Sequence, residues 1–262
     1  MILLNFEKCL KDVKVMLNIW RKRNLSLLGK IQIVKTFAIS KFVFCGSVLP
    51  VPMFVIKELE QVIKDFVWNG KKRYIKKATL LGSYEQGGLA MIDIPCFFSA
   101  LKIKWISRFL EDKESLWSKI FKYFFKKFGG ELVLYCNMSK RSCQKMGQCP
   151  VFNRDILSEY FDFRLLDQRH CDNCDKFIWN NERVTVDGKV IFVEELFNAG
   201  LWYISDLYDS EGKLIAFDVW NSRGVEKKFY MKWCSVVSAV TKALKTKCLR
   251  YRNFKKPLRL LC

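Results

Sequence analysis

A single histidine in 262 residues, and only 26 acidic side chains against 46 Lys and Arg, narrow the chemistry this chain can perform. With His170 alone and no G-x-S-x-G turn, there is nothing from which to assemble a nucleophilic triad. Neither a P-loop nor a dinucleotide glycine fingerprint occurs. Two-metal phosphoryl transfer needs converging carboxylates, but the acids of the N-terminal half stand singly on helix surfaces. Their one adjacent pair, Glu111-Asp112, reads as a solvated helix end. The longest nearly uncharged stretch, 42–54, is cut by Gly46, Pro50 and Pro52 and is too short to cross a bilayer, so no membrane partner is expected. The opening residues lack a basic region and a long apolar core, so no secretory signal is expected. Fixed-period repeats and low-complexity tracts are also missing.

Eleven cysteines is an odd number, and their spread through helical segments points to reduced, buried thiols in a reducing, intracellular compartment. The one metal-like grouping is His170-Cys171-Asp172-Asn173-Cys174, with Cys136, Cys143 and Cys149 upstream. No histidine follows it, the next cysteine is Cys234, and adjacent His170 and Cys171 point awkwardly at one ion. Unligated thiols are therefore expected, with His170, Cys171 and Cys174 as a weak zinc candidate.

What is present is positive charge, unevenly placed. Residues 1–80 carry a net +11 and residues 226–262 a net +10, which leaves 81–225 at −1 of the total +20. Two basic ends around a neutral middle suit a polyanion, and nucleic acid leads the candidates. Solvated Lys-rich helix faces with no ligand are the bland alternative.

Phe6, Leu10, Val13, Leu17 and Trp20 recur at helical spacing, so the chain opens on an amphipathic helix. Asn24 and Ser26 stop it and can cap the next, which from Leu27 is apolar nearly all round and should be central. Lys30 and Lys41, eleven residues apart, should share a face about three turns apart. Beyond Pro50 and Pro52, Val55 to Val67 form another stripe, with Gly70 as its C-terminal cap. A helix over Phe97–Leu110 sets Lys104 beside Arg108 at i,i+4. Residues 129–150 read as a loop or connector, and a short helix follows near 153–166. Arg183 to Phe192, with Asp187-Gly188 between β-branched runs, predicts a hairpin that Lys213 to Phe217 can join as a further strand. A long helix runs from Phe229 to Leu244 into the basic, aromatic tail Arg250 to Lys256. The expected fold is mainly α: a helical bundle over 1–92, a helical connector region over 93–168, and a small α+β domain with a hairpin and a long terminal helix over 169–262.

Several motifs fall in a fixed order. Trp20 to Lys41 reads W-R-K-R-N-L-S-L-L-G-K-I-Q-I-V-K-T-F-A-I-S-K. There follow Val48-Leu49-Pro50-Val51-Pro52, Phe66-Val67-Trp68-Asn69-Gly70, the basic run Lys71 to Lys77, Glu85-Gln86-Gly87-Gly88-Leu89, and Ala100 to Trp105. In this order they resemble the region just downstream of the polymerase palm in LINE-like non-LTR retrotransposon reverse transcriptases. The resemblance covers residues 15–120, is weaker over 176–245 through Ala199-Gly200-Leu201 and Ile204-Ser205-Asp206-Leu207, and is absent over 130–170.

The resemblance implies a thumb that grips template and primer behind an active site lying elsewhere. In that family magnesium is held by a Tyr/Phe-x-Asp-Asp turn in the palm, and no Asp-Asp pair occurs in this sequence. The chain alone is therefore expected not to be an enzyme, its parent being an RNA-directed DNA polymerase. The expected partners are RNA, DNA or their hybrid, together with the parent's palm and fingers, in a cytoplasmic ribonucleoprotein and the nucleus. The family's zinc knuckle has a spacing that the cysteines around His170 do not match.

The residues expected to contact phosphates are Arg21, Lys22, Arg23, Lys30, Lys41, Lys71, Lys72, Arg73, Lys76, Lys77, Lys104 and Arg108, with Tyr74 placed to stack on a base. Trp20, Trp68 and Trp105 read as core residues. A decayed copy with no activity, and a protein-interaction module built on 81–225, stay open.

Overall fold

The computed structural model describes residues 2–70, 75–144, 146–147, 149–166 and 177–245. It divides into two compact units, Met1–Glu111 and Asp112–Cys262. The architecture is mainly helical, with one small two-stranded sheet in the second unit.

In the first unit, α1 (Ile2–Arg21) buries the predicted stripe of Phe6, Leu10, Val13 and Leu17. Ser26 then caps α2 (Leu27–Val48), its hydroxyl accepting from the Gly29 amide at 3.2 Å. By length and composition α2 could cross a membrane, a possibility that the uncharged window at 42–54 does not reveal. Here its Ile31, Val34, Ala38, Ile39 and Phe42 form the middle of the core instead. The helix is not uniform: Val34–Ala38 is a π-turn and Ile39–Phe42 a 3-10 turn. Each departs from 3.6 residues per turn, so spacing arithmetic fails across them. Lys30 is buried while Lys41 is exposed, and the shared face expected of them does not exist.

Pro52 opens α3 (Met53–Trp68), which packs Val55, Leu59, Ile63 and Phe66 against α1 and α2. Lys14 of α1 meets Glu58 of α3 at 2.6 Å. Asn69, not Gly70 alone, takes the left-handed turn at the end of α3, and the Gly70 amide closes it on Asp65 at 3.1 Å. After α4 (Lys77–Leu81) the chain folds back on itself. The amides of Leu89, Ala90 and Met91 donate to the carbonyls of Thr79, Gly82 and Leu80. That return brings Gly88 against the Gly82 carbonyl so closely that any Cβ on it would collide. Gly87 takes a positive φ of 73° at the bend.

Asp93 caps α5 (Ile94–Glu111) through the Cys96 amide at 3.2 Å, with Pro95 in the first turn. Phe98 of α5 meets Phe42 edge-on at 6.1 Å, and its ring lies where a side chain on Gly46 would stand. Those contacts hold α5 in the first unit, so the division falls after Glu111, rather than after residue 92 as the sequence suggested.

In the second unit, α6 (Leu116–Phe125) is capped by Ser115 and buries Phe121 and Phe125. The segment 129–150 is no loose connector. It contains a 3-10 turn at Gly130–Tyr135 and α7 (Lys140–Gln144), and it buries Val133, Leu134, Cys136, Met138, Cys143, Met146 and Cys149. Its glycines and polar residues hid an apolar content carried largely by sulfur side chains. α8 (Val151–Leu166) follows, tied to α7 by Lys140 with Glu159 at 2.8 Å.

The hairpin forms as expected. β1 (Thr185–Val186) pairs antiparallel with β2 (Lys189–Val190), with Asp187 and Gly188 both at positive φ. Lys213 to Phe217 does not join it. Leu214 bridges Tyr208 instead, because Asp209 closes its own turn by accepting from the amides of Glu211 and Lys213. Around the hairpin, Trp179 and Trp220 are fully buried, and Trp179 Nε1 donates to the Leu201 carbonyl at 2.5 Å. Short helices α9 (Glu194–Asn198) and α10 (Phe217–Ser222) lead to α11 (Tyr230–Lys245).

Gly88→Ala should therefore lower stability by about 3 kcal/mol or more, since backbone rather than a movable side chain blocks the new methyl. Gly87→Ala, with open space around it, should cost only about 1 kcal/mol through its left-handed conformation. Urea denaturation midpoints of the two variants test that order.

Candidate nucleic-acid interface

Lysine and arginine can contact phosphate only where the protein has not already used their charge. Lys30 is 8% exposed, and its ammonium donates to the Val67 carbonyl at 3.2 Å and to Asn69 Oδ1 at 2.7 Å. It lies over the Phe66 ring at 5.9 Å. Burial, with a smaller contribution from the nearby Arg21 charge, holds its pKa below the ordinary value. Lys30 is thus the cap of α3 and not a phosphate ligand. The sequence pattern missed this because a solvent-facing and an inward-facing lysine occupy the same kind of position in an apolar helix.

Lys77 is exposed but sits 3.0 Å from Asp93 and 3.7 Å from Glu60, so carboxylates neutralise it. Burial pushes the Asp93 carboxyl up, yet the hydrogen bonds from Lys77 and the Cys96 amide outweigh it and hold the pKa below 3.8. Arg21, Lys22, Arg23, Lys41, Lys76, Lys104 and Arg108 are exposed, and none has a carboxylate partner among the described residues. Lys71, Lys72, Arg73 and Tyr74 lie outside those residues, as do His170, Cys171, Cys174 and the tail from Arg250.

Two groups of free cations result. One is the turn Arg21-Lys22-Arg23 at the end of α1. Arg21 is near enough to Lys30 for their charges to interact, and Lys30 holds Asn69 at the end of α3. The Arg23 guanidinium is 4.8 Å from the centre of the Trp20 ring, which is stacked on Phe37 at 5.9 Å. In the other, Arg108 lies over Trp105 at 4.8 Å, and Trp105 Nε1 donates to the Ser47 carbonyl at 3.0 Å. Both tryptophans are packed parts of the bundle that orient a guanidinium at the surface.

Sequence reasoning did not find Lys102, which is 2% exposed and donates to the Leu49 carbonyl at 2.9 Å. Its pattern matched any buried helix position. Among the described residues no three of His, Cys, Asp and Glu gather as metal ligands do. Burial raises the thiol of Cys136 strongly and pushes those of Cys143 and Cys149 to about 12 and about 11, so these are packed, protonated side chains.

No protein-family model matches the chain. Over 122 residues it is 26% identical to the "Putative ribonuclease H protein" of Arabidopsis thaliana, an alignment that takes in 44% of this chain and 19% of that protein. The chain thus spans about a fifth of the length of that curated relative.

The Asp93 geometry gives a pH test. A carboxyl whose folded pKa is lowered adds stability above its unfolded value near 3.8, and that stability is lost as pH falls through the folded value. Asp93→Asn should flatten this acid limb in thermal melts between about pH 2 and 5, and Lys77→Ala should do so in part. Lys77→Ala should leave nucleic-acid affinity within about twofold, in keeping with the small contribution of a cation already paired.

Proposed function

We propose that this chain is the thumb and following segment of a LINE-like reverse transcriptase, binding template and primer through phosphates without chemistry of its own. The observation that carries the reading is the exposed Arg21-Lys22-Arg23 turn, none of whose cations has a carboxylate partner among the described residues, with the Arg23 guanidinium held over Trp20. Similarity to the Arabidopsis protein, whose name refers to ribonuclease H, supports a retroelement origin and an association with nucleic acid. The ordered motifs from Trp20 to Trp105 support the finer assignment. Guanidinium groups held over Trp20 and Trp105 lose less side-chain freedom on meeting a phosphate than unsupported ones.

On this reading catalysis, and the magnesium for it, belong to a palm carried by the parent protein, and zinc plays no part. The parent would work in a cytoplasmic ribonucleoprotein and in the nucleus. A protein-facing surface is favoured by a separate observation. Val43, Phe44, Met53 and Phe54 at the junction of α2 and α3 are exposed, Phe44 by 77%. Apolar surface of that kind marks a contact, here assigned to the parent's palm and fingers.

The triple variant Arg21→Glu/Lys22→Glu/Arg23→Glu tests the interface in a gel-shift titration with a DNA duplex and an RNA–DNA hybrid. On B-form DNA the slope of log K against log salt should fall in magnitude by about 2.7, at about 0.9 per lost phosphate contact. An unchanged slope and affinity would reject the interface.

A further inference from the structure

The start of α11 carries a second concentration of cations, and this one is built around rings. Lys227 to Lys232 reads K-K-F-Y-M-K. The Phe229 ring lies beneath two ammonium groups, Lys228 Nζ at 5.2 Å and Lys232 Nζ at 5.0 Å. Next to it, Tyr230 is stacked on Trp233 with centroids 6.0 Å apart at 28°, and Phe217 meets it edge-on at 5.4 Å. Trp233 and Phe217 are each only 7% exposed, so they fix the tyrosine from the core side, yet Tyr230 itself is 48% exposed and Met231 72%.

The charge around this ring is positive on balance. Lys227, Lys228 and Lys232 are exposed, and Arg223 lies over Trp220 at 4.8 Å. Against them stand Glu226, paired with Lys228 at 2.8 Å, and the exposed Asp218 of α10. A ring held rigidly from behind and open in front can receive a flat partner at little entropic cost. Duplexes hide the faces of their bases, whereas single strands present them, and stacking with flanking phosphate contacts is how such strands are held without sequence preference.

We infer that Tyr230, backed by Trp233 and Phe217 and flanked by Lys227, Lys228 and Lys232, is a stacking site for an unpaired base of a single-stranded polynucleotide. Lys227 and Lys232, which have no carboxylate partner among the described residues, hold the adjoining phosphates. The site lies wholly in the second unit and does not depend on the Arg21–Arg23 interface.

Fluorescence anisotropy on the full chain, with a labelled oligonucleotide presented single-stranded and as a blunt duplex, tests it. Tyr230→Ala should weaken single-strand binding between about fivefold and about 150-fold, the loss of one stacked base, and leave duplex binding unchanged. Tyr230→Phe should keep wild-type affinity. Lys227→Glu/Lys232→Glu changes only exposed side chains and should lower the single-strand salt slope by about 1.4, at 0.7 per contact. If Tyr230→Ala melts early, the lysine variant decides. Wild-type single-strand affinity in that variant, or equal losses for single strand and duplex, would overturn the site. Arg21→Glu/Lys22→Glu/Arg23→Glu should instead weaken the duplex and leave the Tyr230→Ala effect in place, which separates failure here from failure of the thumb reading.

Discussion

The first unit depends on two lysines taken out of water to close the ends of helices. Lys30 holds the C-terminus of α3 through Val67 and Asn69, and Lys102 holds the last turn of α2 through Leu49. Burying an ammonium costs several kcal/mol, and only a compensating set of acceptors makes it tolerable. Terminal carbonyls supply that set, since a helix ends in unpaired acceptors at the negative end of its dipole. Each lysine reaches across from a different helix, so each bond fixes register between elements far apart in sequence. The apolar core makes the bundle compact. The buried ammonium groups are what prevent α2 and α3 from sliding along it, because a shift of one residue would strand a charge.

That arrangement also decides which cations remain for a ligand. Lys30 and Lys102 are used internally, and Lys77 is held by Asp93, which caps α5. Among the cations left exposed, Arg23 and Arg108 have their guanidinium groups supported by rings of the bundle. Lysines that hold the fold together and lysines open to solvent are therefore interspersed along the chain, and net charge overstates how much positive charge is unpaired at the surface. The second unit shows the same division: Lys140 is held by Glu159 and Asp162, while Lys232 at the start of α11 lies over the Phe229 ring without a carboxylate partner among the described residues.

Much was legible in the residues. The stripe of Phe6, Leu10, Val13 and Leu17, the cap at Ser26 and the Asp187-Gly188 turn follow from local rules, and each stands where those rules place it. Less was legible where two distant segments meet. The 129–150 segment looked like a connector because Gly129, Gly130 and Gly147 dominate its pattern, yet its cysteines and methionines fill a core that other elements complete. Lys213 to Phe217 has strand-like composition, but the Asp209 turn claims it first.

Helical class, element order, the hairpin and the uneven charge follow from the residues alone, since these rest on periodicity, capping and composition within short windows. Packing between distant elements is what turns Lys30 and Lys102 inward, keeps α5 with the first unit, brings Gly88 against the Gly82 carbonyl, and leaves Tyr230 exposed on a buried base of rings. The reason is physical. A side chain's partner across the fold is set by packing between elements, and one helix's periodicity says which way a lysine points but not whether water or a carbonyl is waiting there.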